Sequence, residues 1–121
     1  MEEIVDEAVV EVPEDVVTHH PDGFMLQVEG DCMDRAFPPG CLIMVDPDME
    51  PRNGDAVVAA TSPGESVLRR YARGAATLML SPDSHGVYDD LVFSGDDLAE
   101  VRLIGVVVWW QAYEDVRRQE Q

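Results

Sequence analysis

Short apolar runs alternate with polar turns along most of the chain, and this pattern predicts a mostly β fold. The runs are rich in valine and other strand-favouring residues, and Pro, Gly, Asn and Asp separate them. Little helix is expected beyond a short turn over 31–37 and a short helix or frayed tail over 111–121. We predict strands at 4–12, 24–28, 41–46, 55–61, 65–72, 76–81 and 100–110.

Two of these regions predict more than a single strand: one predicts a hairpin, and the other an unusually apolar strand. The runs "ESVLRRYA" and "ATLMLS" flank Arg73-Gly74, which predicts a β-hairpin with a tight turn. The last run, "LIGVVVWW" at 103–110, is apolar on both faces of a strand. Such a strand is either central in its sheet or covered by another chain, because an exposed run of this kind promotes aggregation. Of Trp109 and Trp110, we expect one in the core and the other at a subunit interface.

Length and composition indicate one globular domain over residues 1–121. The chain is 45% hydrophobic, which is typical of a folded domain with its own core. No apolar run is long enough to span a membrane, and the acidic start "MEEIVDEAVV" does not resemble a signal peptide. A cytoplasmic location is therefore expected. Cys32 and Cys41 fit neither a disulfide framework nor a zinc motif, so we expect no metal and no cofactor.

The charge balance limits the kinds of partner that this chain can bind. The net charge is −17, from 25 acidic residues against eight arginines and no lysine. Such a surface repels DNA phosphates and anionic membranes. The simplest interpretation of the charge is solubility. An alternative is an acidic phage-type binding protein or DNA mimic that competes with DNA for a basic partner.

The stretch "EGDCMDR" at 29–35 has the pattern of a loop that presents a nucleophile. Gly30-Asp31 suits a tight turn that exposes the next side chain, Cys32, and Met33 would anchor the loop in the core. The loop lies between two predicted strands, where functional side chains are often held.

The sequence "VEGDCMDRAFPPGCLIMVDP" at 28–47, followed by "NGD" at 53–55, resembles the "GDSM…PGD…NGD" signature of the LexA, UmuD and phage-repressor C-terminal domains. These are self-cleaving serine–lysine peptidases with a core like that of signal peptidases. "ESVLRRY", "LMLSPDSHGVYDDLVF" and "VRLIGVVVWW" resemble later segments of the same family. The resemblance covers residues 24–110 and leaves an N-terminal arm, 1–23, and a C-terminal tail, 111–121.

This resemblance implies a fold and a partner. The fold would be a distorted, barrel-like (β-clip-like) all-β domain with a β-hairpin flap and little helix. The partner would be a second copy of the chain, because family members pair partly through their last strand. The residues of that strand expected at a homodimer interface are Val106, Val108, Trp109 and Trp110.

The resemblance also places the catalytic pair on altered residues. The nucleophile position falls on Cys32, supported by Gly30, Asp31 and Met33, and the lysine position falls on Arg69. A cysteine is compatible with attack, but an arginine stays protonated and cannot act as a general base. His85 is the candidate acid in the downstream loop, although nothing in the sequence places it near Cys32. The Ala-Gly or Cys-Gly bond that the family cleaves is missing upstream of Cys32.

The expected function is therefore that of a pseudoenzyme: a regulatory and dimerisation domain of a LexA-like, SOS-response-type or phage-type repressor that no longer cleaves itself. DNA would be bound only through a separate N-terminal helix-turn-helix domain, absent from this chain. One alternative is an active cysteine variant of the same peptidase, for which a RecA-like co-protease would be a partner. The acidic binding protein described above is the second alternative.

Overall fold

The computed structural model describes residues 2–5, 8–62 and 64–112, and it confirms the mostly β class. Nine strands, one α-helix and one 3-10 helix lie in these residues. In chain order they are β1 (Glu2–Val5), β2 (Ala8–Glu11), α1 (Glu14–His19), β3 (Phe24–Gln27), β4 (Leu42–Asp46), β5 (Ala56–Ser62), β6 (Glu65–Arg73), β7 (Thr77–Ser81), β8 (Leu91–Ser94), the 3-10 helix (Gly95–Glu100) and β9 (Arg102–Gln111).

Seven strands form a single antiparallel sheet in the order β3-β4-β9-β5-β6-β7-β8. The predicted hairpin of β6 and β7 is present, with Arg73 opposite Leu78 and the Gly74 N–H donating to Thr77 O at 2.8 Å. Strand β9 lies between β4 and β5, which explains why its apolar residues face both ways. Within the described residues β3 and β8 do not pair with each other. The sheet is therefore open, and the expected barrel likeness does not extend to closure by hydrogen bonds.

Several elements differ from the sequence-based prediction. The run 4–12 forms two antiparallel strands, β1 and β2, instead of one, with Glu2 opposite Glu11. A charged pair at 6–7 interrupts the apolar run and accounts for the division. Helix α1 was not predicted, although Pro13 precedes it and acidic residues fill its first turn, as is favourable at a helix N-terminus. Strand β8 was also missed, because it is four residues long and acidic segments flank it. The predicted tail over 111–121 lies outside the described residues, apart from Gln111 and Ala112.

The sheet is buried on both faces. Strand β5 shows this, because Ala56 and Val58 face one hydrophobic cluster and Val57 and Ala59 face the other, as strand alternation requires. The loop between β3 and β4 covers the first face. The first cluster contains Val28, Met33, Phe37, Cys41, Ile43, Val45, Ala56 and Val58. The second contains Val57, Ala59, Leu78, Leu80 and Val106.

A hydrogen bond joins the segment after α1 to the sheet. His20 Nδ1 lies 2.6 Å from Asp46 Oδ2, and Asp46 at the end of β4 is 7% exposed. Burial raises the pKa of Asp46, but hydrogen bonds from His20 and from the backbone N–H groups of Asp48 and Met49 outweigh burial. The pKa of this carboxyl group therefore lies below its usual range, and its charged form stabilises the fold.

Acid is expected to remove this contribution. Because the folded protein holds the Asp46 proton more weakly than the unfolded chain does, the stabilisation is present above the unfolded pKa of about 4 and is lost as the pH falls through the folded-state pKa. Urea unfolding of the wild type and Asp46→Asn should give midpoints that differ at about pH 6 and differ less at about pH 3. The exposed control Asp89→Asn should match the wild type at both pH values. A gap for Asp46→Asn that is equally wide in acid would contradict the assignment.

Candidate functional site

Backbone hydrogen bonds fix both ends of the loop that carries Cys32. The Val28 N–H donates to Cys41 O at 2.8 Å, and the Gly40 N–H returns a bond to Val28 O at 2.9 Å. Gly30 takes a φ of 79°, in the left-handed region that glycine tolerates best. Between these points the chain makes a short turn over 32–36, which agrees with the turn predicted there.

In this turn Met33 is buried and anchors the loop, whereas Cys32 is partly exposed. The Phe37 N–H donates to Met33 O at 2.8 Å, and the side chains of Met33 and Phe37 are 1% and 7% exposed in the first cluster. Cys32, directly before Met33, is only half-buried and packs at the margin of that cluster. Met33 and Phe37 fill the core side of the turn, so Cys32 lies at the edge of the cluster and is partly exposed.

Strand β6 brings Arg69 to the sulfur. Arg69 Nη1 lies 2.7 Å from Cys32 Sγ and also donates to Leu68 O at 3.0 Å. The thiol in turn lies 3.6 Å from the same Leu68 oxygen. Two residues that are 37 positions apart thus form one pair, in which a permanent cation contacts a potential nucleophile.

The guanidinium of Arg69 is only partly satisfied. Its Nε is buried and has no hydrogen-bond partner within the described chain. A buried N–H without an acceptor is unfavourable by about 1–3 kcal/mol. The environment of Arg69 therefore does not resemble a structural arginine site, in which the whole guanidinium fork is normally used.

A second loop, residues 82–90, closes over the first. The Asp83 N–H donates to Cys32 O at 3.0 Å, and the Arg35 N–H donates to Asp83 O at 3.0 Å. Arg70, next to Arg69, fixes this loop: its Nε and Nη2 lie 3.2 and 3.1 Å from Asp83 Oδ2. Sequence reasoning missed Arg70 and Asp83, because neither residue stands in a pattern that marks it before the two loops are seen to meet.

Further contacts join the two loops at the surface. The Ser84 hydroxyl donates to Asp31 O at 2.9 Å, and the Tyr88 hydroxyl donates to Asp31 Oδ1. This bond to a carboxylate raises the pKa of the Tyr88 phenol above its usual value. The backbone N–H of His85 donates to Asp34 Oδ1 at 2.8 Å and is the main reason that the pKa of Asp34 is lowered. Asp31 and Asp34 are therefore both held by hydrogen bonds from the second loop.

The structure places the remaining predicted residues as follows. His85 is exposed, and within the described residues no hydrogen bond joins it to Cys32. Val106, predicted at the interface, is 2% exposed and packs in the second cluster, so its side chain leaves little surface for a partner. Val108 and Trp109 are half-buried. Trp110 is 42% exposed and meets Phe37 edge-on, with ring centroids 6.0 Å apart.

Two kinds of feature are not found in the described part of the chain. No group of three or more histidine, cysteine, aspartate or glutamate residues there could hold a metal ion. No helix within residues 2–5, 8–62 and 64–112 has the length and apolar character needed to cross a membrane.

A family model and several known proteins match most of this chain. The model of the Peptidase S24-like family matches residues 1–108. The LexA repressor of Desulfatibacillum aliphaticivorans is 33% identical over 87 residues, which is 71% of this chain and 42% of that protein. Repressor protein C2 of Salmonella phage P22 is 35% identical over 92 residues, 72% of this chain and 40% of that protein. LexA repressor 2 of Geobacter sulfurreducens is 37% identical over 86 residues, 70% of this chain and 41% of that protein. The chain thus aligns with about two-fifths of the length of each of these relatives.

Proposed function

This chain belongs to the Peptidase S24-like family, and on that premise we propose that it is the regulatory and dimerisation domain of a LexA-like or phage-type repressor and does not cleave itself. The proposal that the chain does not cleave itself rests on the contact of Arg69 Nη1 with Cys32 Sγ at 2.7 Å. A cation that cannot lose its proton stands where a serine–lysine peptidase requires a neutral amine.

Without a general base at residue 69, peptide cleavage lacks a route for proton transfer. Attack on a peptide carbonyl needs removal of a proton from the nucleophile and then delivery of a proton to the leaving amine. Arg69 can do neither, and the sequence contains no lysine. Tyr88 is the phenol nearest to the site by contact, but its proton is engaged by Asp31 and its pKa is raised. Among the described residues, neither Arg69 nor Tyr88 can therefore carry the proton in both steps.

The repressor role rests on the relatives, whose names are LexA repressor and repressor protein C2. DNA binding would be supplied by a helix-turn-helix domain outside the aligned region. The net charge of −17 supports this division, because the present chain would repel a DNA backbone.

Dimerisation is supported by the free end of β9. Its pairing with β5 runs from Arg102 to Val106, whereas its pairing with β4 continues to Gln111. Within the described residues the segment 108–111 consequently has no sheet neighbour on its β5 side. Trp110 lies in this segment and is 42% exposed. An apolar strand end with one open edge is a surface that a second copy would cover.

Sedimentation velocity at micromolar concentration should show a dimer for the wild type. Trp110→Glu is expected to shift it towards monomer, because an interface that encloses a charge without a partner is weakened. The control is Val92→Glu on β8, an equally apolar side chain that is 58% exposed at the far edge of the sheet. This control should remain a dimer. A wild type that sediments only as monomer would refute the dimerisation proposal.

The absence of cleavage can be tested by adding an N-terminal segment that contains an Ala-Gly bond, as LexA-type self-cleavage requires. The extended wild type should stay intact between about pH 7 and about pH 10, because Arg69 remains charged throughout this range. Cleavage that Cys32→Ala abolishes would instead establish the active cysteine variant.

A further inference from the structure

The Cys32–Arg69 pair has a chemistry that does not depend on peptide cleavage. A cysteine in contact with an arginine and reachable from solvent is in the environment typical of reactive thiols, because the cation stabilises negative charge on sulfur. Cys32 is half-buried, and Arg69 Nη1 contacts its sulfur at 2.7 Å. Cys41, in contrast, is 1% exposed, and burial raises the pKa of its thiol to about 11.

Cys32 itself is partly exposed to solvent, and a groove that its side chain does not line ends beside it. A groove of about 290 Å³ lies between β3 and the first half of β6 and extends as far as Leu68. The carbonyl oxygen of Leu68 is 3.6 Å from Cys32 Sγ. The groove is large enough for a small molecule, because one water molecule in the liquid occupies about 30 Å³.

We propose that Cys32 is a site of reversible oxidation by small uncharged hydroperoxides, with Arg69 as the residue that activates its sulfur. The inference goes beyond the proposed function, since it concerns the oxidation state of Cys32 and holds whether or not the chain binds a repressor's DNA. The oxidant class follows from the overall charge of the chain. The net charge is −17, which disfavours the approach of anionic oxidants.

The reaction balances with the hydroperoxide as the sole co-reactant. The sulfur attacks the terminal peroxide oxygen, an S–O bond forms and the O–O bond breaks. The leaving oxygen takes up the thiol proton, so a thiol and ROOH give a sulfenic acid and ROH. Sulfur is oxidised by two electrons and the peroxide is reduced by two. Arg69 holds the sulfur through Nη1, and its buried Nε is a donor without an acceptor among the described residues.

The oxidised state should persist long enough to be trapped. A sulfenic acid is normally consumed by a neighbouring thiolate, which gives a disulfide. The second thiol of this chain, Cys41, is buried in the first cluster and remains protonated at neutral pH. An added dithiol should then return Cys32 to the thiol, with release of water and formation of the cyclic disulfide of the reductant.

The test is peroxide treatment of the full chain in the presence of dimedone, followed by mass spectrometry of the intact protein and its peptides. The wild type should gain one adduct, on Cys32, and earlier addition of dithiothreitol should prevent it. Cys41→Ala should gain the same adduct and Cys32→Ser should gain none. An adduct on Cys41 of the folded wild type would overturn the proposal.

Oxidation rates distinguish activation of Cys32 by Arg69 from the reactivity that any exposed thiol would show. Under identical conditions, Cys32 should react at least about tenfold faster than free glutathione, because a contacting cation favours the reactive form of sulfur. Arg69→Met keeps an unbranched, flexible side chain but removes the charge and should slow oxidation by about tenfold or more. If Arg69→Met does not fold, the comparison with glutathione still decides the question. Oxidation no faster than that of glutathione, or an unchanged rate in folded Arg69→Met, would refute the inference.

Discussion

The double variant Cys32→Ser/Arg69→Lys, given an N-terminal segment with an Ala-Gly bond, is expected to cleave that segment. The wild-type pair lies in contact, with 2.7 Å between Arg69 Nη1 and Cys32 Sγ, so the variant places a hydroxyl next to an amine. The site around residue 69 is partly desolvated, as the buried Arg69 Nε shows, and desolvation lowers the pKa of a lysine. A positioned base accelerates such a step by about 10²–10⁴-fold.

The rate of this reaction should rise with pH, because only the unprotonated amine can accept the hydroxyl proton. Gel electrophoresis over time, with mass spectrometry of both fragments, would locate the bond that is cut. The lysine amine ends about one bond closer to the backbone than Arg69 Nη1, so the loop with residue 32 must move slightly towards β6. Slow but measurable cleavage is therefore the expected outcome.

Two matched variants isolate the contribution of each residue. Cys32→Ser alone retains the arginine and should stay intact, because it has a hydroxyl but no base. Cys32→Ala/Arg69→Lys has the amine but no nucleophile and should also stay intact. A double variant that remains uncut at about pH 10, where much of a lysine is unprotonated, would contradict the assignment of Cys32 and Arg69 to the two positions.

Gly105→Ala is expected to destabilise the fold by about 3 kcal/mol, the upper part of the usual range for overpacking. Gly105 lies in the middle of β9, opposite Val58 of β5. A Cβ at this position would lie 2.5 Å from Val45 Cγ1 and 2.7 Å from the backbone oxygen of Asp46. The backbone oxygen belongs to β4, which is hydrogen-bonded on both sides, so it cannot move away without separating strands.

Urea unfolding followed by tryptophan fluorescence would measure this effect as a lower midpoint with a similar slope. The matched control is Gly74→Ala in the β6–β7 turn, where the nearest atom would be Thr77 O at an ordinary contact distance of 3.7 Å. That variant should differ from the wild type by no more than about 0.5 kcal/mol. Equal stability of the two alanine variants would show that β9 can separate from β4 at little cost.

The sequence predicted much of the fold because strand signals are local. Alternation and turn residues located β3 to β7 and most of β9, and the two-sided pattern of 103–110 indicated a central strand. Short elements were missed: β8 has four residues and α1 has six, too few to show a clear period. The prediction that Val106 lies at an interface, although its side chain is buried in this chain, has a related origin. A pattern that is apolar on both faces does not tell which side chains meet this chain's own core and which meet a partner.

The amino-acid sequence by itself determined the chemical nature of the candidate site: a cysteine at one position, an arginine at the other, and no lysine in the chain. These are properties of residue types, and they hold in any conformation. Only the tertiary structure decided that Arg69 Nη1 contacts Cys32 Sγ, that the described part of the chain offers its Nε no acceptor, and that Arg70 holds Asp83 across the site. Such contacts join residues 13 to 37 positions apart. They depend on how β6 and two loops pack together, which no local pattern specifies.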